Sequence, residues 1–264
     1  MLLLFTNPYL AVTLLTLWYV FCNSKRYINL IFIFIFINGA LNSWLKFIFK
    51  MPLHHSLNNQ CWYSFPSGHM EYALVFWGIL WIHTRYNMKF LAIVVLLLVA
   101  SGWSMDQHNY HTPLDMIGAI PPAAVILGIY NFTLKRIDFS KNNLLWLNFT
   151  SIGIQLTTLG LIESPCENYK FNWMWLNLGA NLGFGVISLI TRDKVEVFVQ
   201  ELKLRLKSPL VYCIFLLTIA QLLGMYKLTS IYKTEVGNTL CGILLPIVLF
   251  LTSKLYQKFN TTNG

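Results

Sequence analysis

Two short polar stretches interrupt the apolar runs of this chain, Phe65-Pro66-Ser67-Gly68-His69 and His108-Asn109-Tyr110-His111-Thr112-Pro113-Leu114-Asp115. The first reads as the start of a helix. There the unpaired backbone N–H groups, the Ser67 hydroxyl and the close approach allowed by Gly68 form a nest for phosphate oxygens, with His69 at its edge. In the second, His111 and Asp115 are four residues apart across another helix start, with Thr112 placed to cap and Pro113 suited to the first turn. This spacing lets Asp115 hold one imidazole nitrogen of His111 and leaves the other free as nucleophile or base. Two such histidines are equipment for phosphoryl transfer through a phosphohistidine. An isolated His-x3-Asp would read as a structural pair. Pro-Ser-Gly-His, expected on the order of once in a thousand chains of this length at average usage, weighs toward chemistry when the two occur together and in order.

The elements that position these residues are apolar helices. Of the 264 residues, 56% are hydrophobic and 11% charged, whereas a soluble domain spends about a quarter on charge. Runs long enough to cross a hydrocarbon core of ~30 Å recur along the chain. The sequence predicts an all-α, polytopic membrane protein with about nine spans, at 4–22, 27–49, 69–85, 88–104, 113–132, 143–161, 171–191, 209–225 and 238–256. With the spans so placed, fourteen of the 19 Lys and Arg fall on one side and five on the other. Cytoplasmic loops carry that excess, so the expected arrangement has the N-terminus and both polar motifs outside and the C-terminus inside. The first span lacks a positive n-region and reads as retained rather than cleaved. The net charge of +9 is spread over separate loops, without the basic patch that nucleic acid would require.

Within the second span Asn38, Asn42 and Lys46 recur every four residues, with Lys50 one turn further. They share one helical face that leads toward the Ser67–His69 motif, as an anion site would. Interhelical hydrogen bonding with a snorkelling lysine is the other reading. Cys61 and Cys166 fall in external loops and are disulfide candidates, or else two unpaired thiols. Residues 192–208 read as a cytoplasmic amphipathic segment on the inner membrane surface, or as a plain connecting loop.

These motifs resemble the type 2 phosphatidic acid phosphatase superfamily, which includes lipid phosphatases, glucose-6-phosphatase and vanadium haloperoxidases. The family pattern is K-x6-R-P, then P-S-G-H, then S-R-x5-H-x3-D. Pro66-Ser67-Gly68-His69 is intact, and Ser104, His111 and Asp115 fall in register, as does Lys46. Met105 stands in place of one arginine, and Leu53-His54 in place of the other Arg-Pro. The resemblance covers about residues 40–120. It implies a six-helix catalytic core within residues 1–161, with 162–264 adding three spans. It also implies His111 as nucleophile, Asp115 as its orienter, His69 as acid to the leaving oxygen, and phosphate binding by Lys46, Ser67, Gly68 and Ser104, without metal or cofactor. A charge-assisted hydrogen bond contributes about 1.5–3 kcal/mol, so two missing arginines need an account. Lys50, His54, His55 or His108 replaces the charge, or the substrate is a phosphodiester, or the scaffold has lost turnover. "YHTPLD" is similar to the corresponding motif of sphingomyelin synthases, which makes head-group phosphotransfer the alternative to hydrolysis of a lipid phosphate monoester. A non-catalytic binder or transporter of phosphorylated lipid is a third.

The orientation is testable directly. Single cysteines at Asn58 and Asn109, in a background without native cysteines, should react with an impermeant thiol reagent in intact cells. Reaction only after permeabilisation would invert the arrangement.

Overall fold

A computed structural model describes residues 25–52, 63–136, 141–162, 172–190 and 235–262, together with Thr6, Ala11, Leu14, Leu15 and Leu17. The helices are α1 (Lys25–Phe49), α2 (Gly68–His83), α3 (Met88–Gln107), α4 (Pro113–Ile117), α5 (Ile120–Arg136), α6 (Lys141–Leu161), α7 (Asn172–Ile190) and α8 (Glu235–Thr262). No strand occurs among the described residues, where a single bridge joins Pro52 and Tyr63.

Among the described residues, five stretches are long and apolar enough to cross a membrane: Tyr27–Phe49, Met88–Gln107, Pro113–Arg136, Asn143–Leu161 and Val236–Lys254. Large apolar side chains on them face outward, including Leu96, Trp103 and Trp146, each about 70% exposed. Such exposure fits a hydrocarbon surround rather than water. The predicted span at 69–85 becomes α2, whose 16 residues rise only about 24 Å. The span predicted at 171–191 becomes α7, of which Met174–Ile187 is a shorter apolar helix. The span predicted at 209–225, most of that at 4–22, the amphipathic segment at 192–208, His54, His55, Cys61 and Cys166 lie outside the described residues.

Local chemistry sets the helix ends near the two motifs. Ser67 caps α2, its hydroxyl accepting from the Met70 N–H. At the far end Arg85, with φ 55°, turns the chain, and the N–H groups of Arg85 and Tyr86 return to the Ile82 and Trp81 carbonyls. Asn87 then caps α3 by accepting from Lys89 and Phe90 N–H. The end of α3 repeats the device: Asn109 has φ 57°, and the Asn109 and Tyr110 N–H groups bond the Asp106 and Met105 carbonyls. Asn tolerates the left-handed region that this turn demands.

The chain divides into two compact units that interleave in sequence. The first holds α1 from Phe34, α2 to α5, and α6 from Ile154. In it α2 packs on α3 and α5, around Met70, Ala73, Val94, Leu98, Met105 and Ala119. The second holds α1 to Ile33, α6 to Gly153, α7 and α8. Here α7 and α8 meet backbone to backbone. A Cβ at Gly242 would lie 2.2 Å from the Leu176 carbonyl oxygen, and one at Gly179 would lie 2.0 Å from that of Thr239. Gly179 and Gly183 thus form a small-x3-small seam, the device by which helices approach closely in lipid. Phe32 stacks on Phe184, 4.5 Å between centroids, and Asn181 donates to Ser151 at 2.7 Å.

Gly242→Ala should therefore overpack this seam and cost at least about 1–3 kcal/mol. Gly160→Ala, where an added Cβ meets nothing within 4 Å, should be neutral or slightly stabilising. Thermal unfolding in detergent checks both, and equal melting temperatures for the two variants would refute the seam.

Candidate active site

Two segments meet just before the first polar motif. The Ser64 N–H donates to the Met51 carbonyl at 2.9 Å, beside the bridge between Pro52 and Tyr63. Lys46, only 5% exposed near the end of α1, donates its Nζ to the main-chain carbonyls of Tyr63 and Ser64. The chain then passes through a cis Phe65–Pro66 peptide into α2. Asn42, one turn before Lys46 on α1, donates Nδ2 to the Pro66 carbonyl at 3.4 Å and to Glu71 Oε2 at 2.8 Å. A Cβ at position 68 would sit 3.0 Å from Asn42 Oδ1, so glycine there lets the start of α2 lie against α1. Gly68 and His69 lead the first turn, where N–H groups lack intrahelical acceptors.

The second motif folds as its residue types require. Thr112 and Asp115 form a reciprocal capping box on α4, with Pro113 in the first turn. Thr112 N–H donates to Asp115 Oδ2 at 2.9 Å, and Asp115 N–H to Thr112 Oγ1 at 3.2 Å. The other carboxylate oxygen, Oδ1, accepts from the Ser64 hydroxyl at 3.2 Å. The Asp115 carbonyl accepts from the Ser67 N–H at 2.9 Å. His111 Nδ1 lies 3.7 Å from Asp115 Oδ2, just beyond hydrogen-bond length, and has no other partner among the described residues. A small turn of the ring would close that bond.

The two histidines converge. The rings of His69 and His111 are 6.1 Å apart between centroids, tilted 58°. His69 is exposed, whereas the His111 side chain is only 9% exposed. Lys46, Ser67, Gly68, His69, His111 and Asp115 thus gather around the starts of α2 and α4. Ser104, half-buried in the last turn of α3, uses its carbonyl to accept from the N–H of His108 and to pair with its Nδ1, at 3.2 and 2.7 Å. His108 is exposed and stacks on Tyr110. Lys50 is exposed with φ 49°, and its Nζ lies over the Phe47 ring at 4.7 Å. Met105, at the register of a family arginine, is 2% exposed inside the apolar cluster of Met70, Ala73 and Leu98. A guanidinium at that backbone position would enter the apolar cluster.

Two participants escaped the sequence reading. Ser64 gives no signal, because a serine before Phe-Pro has many uses. Glu71 does give one, as an acidic residue inside an apolar run, where charge is costly and kept for a purpose. It is wholly buried, with Oε1 unpartnered among the described residues.

Lys46→Met should cost about 1.5–3 kcal/mol, because it removes charged hydrogen bonds from two buried carbonyls. Lys50→Met should change stability by no more than about 0.5 kcal/mol. Thermal unfolding in detergent distinguishes them, and a silent Lys46→Met would show that the Tyr63–Ser64 segment does not depend on this contact. No protein-family model, curated protein or solved structure matches the chain.

Proposed function

We propose that the protein is a membrane phosphatase of the phosphatidic acid phosphatase type, hydrolysing a lipid phosphate monoester through a phosphohistidine on His111. The observation that carries this reading is the convergence of His69 and His111, from two loops 42 positions apart in sequence, to 6.1 Å between ring centroids beside the first turn of α2. Nine spans with the N-terminus outside, the C-terminus inside and the site at the external leaflet complete the proposal, on the strength of the Lys and Arg distribution. A site at a bilayer surface meets amphiphiles at high local concentration, which favours a lipid substrate.

In the first step the free Nε2 of neutral His111 attacks phosphorus, and the bond from phosphorus to the lipid oxygen breaks. Protonated His69 gives its proton to the departing alkoxide. The phosphorylated imidazole is cationic at the ring, and the Asp115 carboxylate stabilises it across Nδ1. Water then attacks phosphorus while neutral His69 takes its proton, the N–P bond breaks, and phosphate leaves with His111 restored. The Gly68 and His69 N–H groups and the Ser67 hydroxyl stabilise the charge on the phosphoryl oxygens, with Lys46 and Ser104 completing the anion site. No metal or cofactor enters these steps.

Head-group phosphotransfer is favoured by a separate observation. Lys46 already serves two carbonyls, Lys50 lies over Phe47 and Met105 is held in apolar surroundings. Such a thin supply of cations among the described residues suits a phosphodiester, with one negative charge fewer. Purified protein in mixed micelles should release phosphate from a diacylglycerol phosphate, and His111→Ala should lower this by on the order of a thousandfold or more. Transfer from a phosphodiester to an added alcohol, with no release from the monoester, would select the transferase. Lipid binding without either turnover would leave a non-catalytic binder, and full activity of His111→Ala would end the phosphohistidine scheme.

A further inference from the structure

Glu71 is a buried acidic residue that the proposed steps do not use. It is 0% exposed, in the first turn of α2, two residues after His69. Its main-chain N–H bonds the Ser67 carbonyl at 3.0 Å, and its Oε2 accepts from Asn42 Nδ2 at 2.8 Å. The same Nδ2 reaches the Pro66 carbonyl at 3.4 Å, and Asn42 Oδ1 closes against Gly68. One amide therefore bonds two groups that flank His69, the Pro66 carbonyl and the Glu71 side chain, and lies where a side chain at position 68 would go. An amide can rotate about its last side-chain bond, and of its two hydrogen bonds the one to Glu71 is the shorter. Without Glu71, Asn42 would be free to turn away and the entry to α2 would lose its reference to α1.

We infer that Glu71 is a positioning residue, which acts through Asn42 to hold His69 in place for protonating the leaving oxygen. The inference rests on the proposed roles of His111 and His69. The contact gives Oε2 of this buried acid a partner on α1, where a polar group left unpaired is costly. It also gives the Asn42 of the polar face a task different from binding the anion.

The test uses the leaving group. An alkoxide cannot depart without a proton, whereas an aryl oxide such as p-nitrophenolate can. Displacing His69 should therefore slow an alkyl phosphate far more than an aryl phosphate, while general loss of folded protein slows both alike. Full-length wild type, Glu71→Ala, Asn42→Ala, the double variant and Glu71→Gln are compared on a diacylglycerol phosphate and on p-nitrophenyl phosphate. Glu71→Ala is expected to lower kcat about ten- to hundredfold on the alkyl substrate, the scale of an ångström of misplacement, and less than about threefold on the aryl one. Asn42→Ala should match it, and the double variant should add nothing, as for two members of one path. Glu71→Gln keeps an acceptor for Asn42 and should recover most of the loss. Equal losses on both substrates, or a Glu71→Gln as impaired as Glu71→Ala, would overturn the positioning role while leaving the phosphatase reading in place. Absence of turnover in wild type on both substrates would overturn that reading and this role with it.

Discussion

A carboxylate withdrawn from solvent must collect donors to replace the water it gives up, and Asp115 collects them from both polar loops. Its Oδ2 takes the Thr112 N–H, its Oδ1 takes the Ser64 hydroxyl, and its main-chain carbonyl takes the Ser67 N–H. Residues more than forty positions apart are thereby bound to one side chain and its own backbone. The start of α2 and the start of α4 cannot shift independently while these bonds hold. The proximity of His69 to His111 follows from that constraint, and the chemical roles proposed for the pair depend on it. His111 itself is the least engaged partner of Asp115, at 3.7 Å.

Against this carboxylate stands one buried lysine. Lys46 sits with its ammonium against the Tyr63 and Ser64 carbonyls, so it braces the loop that delivers Ser64 to Asp115. Asn42 continues the same face of α1 to Glu71 and Pro66. A polar face on a helix otherwise packed with Ile and Phe costs desolvation at every turn, and here each contact reaches the segment between Tyr63 and Glu71. The polar face of α1 is therefore the inner wall of the proposed site. Phe65 is held from the other direction: its ring packs edge-on against Phe49 at 4.8 Å and fills the space that any side chain at Gly118 would occupy.

The second unit follows a different rule. Where lipid tails are as apolar as the side chains, burying hydrocarbon gives no drive to associate, and closeness of backbones takes its place. Gly179, Gly183 and Gly242 permit that closeness between α7 and α8, and Pro246 of α8 packs at Gly183 within the same seam.

The apolar runs alone determine an all-helical chain with several membrane-length elements, because hydrocarbon tolerates few other backbones. The caps of α4 were equally legible, since Thr112, Pro113 and Asp115 act on their own neighbours and need nothing from elsewhere in the chain. His69 and His111 could be named for the same reason, each from a short motif with a local mechanism. What remained hidden depends on which side chains meet across the chain. Lys46 and Lys50 look alike one turn apart, yet a single turn separates a buried ammonium on two carbonyls from an exposed one over Phe47. Spacing placed Asp115 with His111, but three-dimensional packing gave it to Ser64 as well. Glu71 and Asn42, 29 positions apart, become partners only once α1 and α2 lie side by side. Helix type and caps are set by interactions within a turn or two, whereas the partners of a buried charge are set by whichever segments the fold brings within 3 Å of it, and only the tertiary structure decides that.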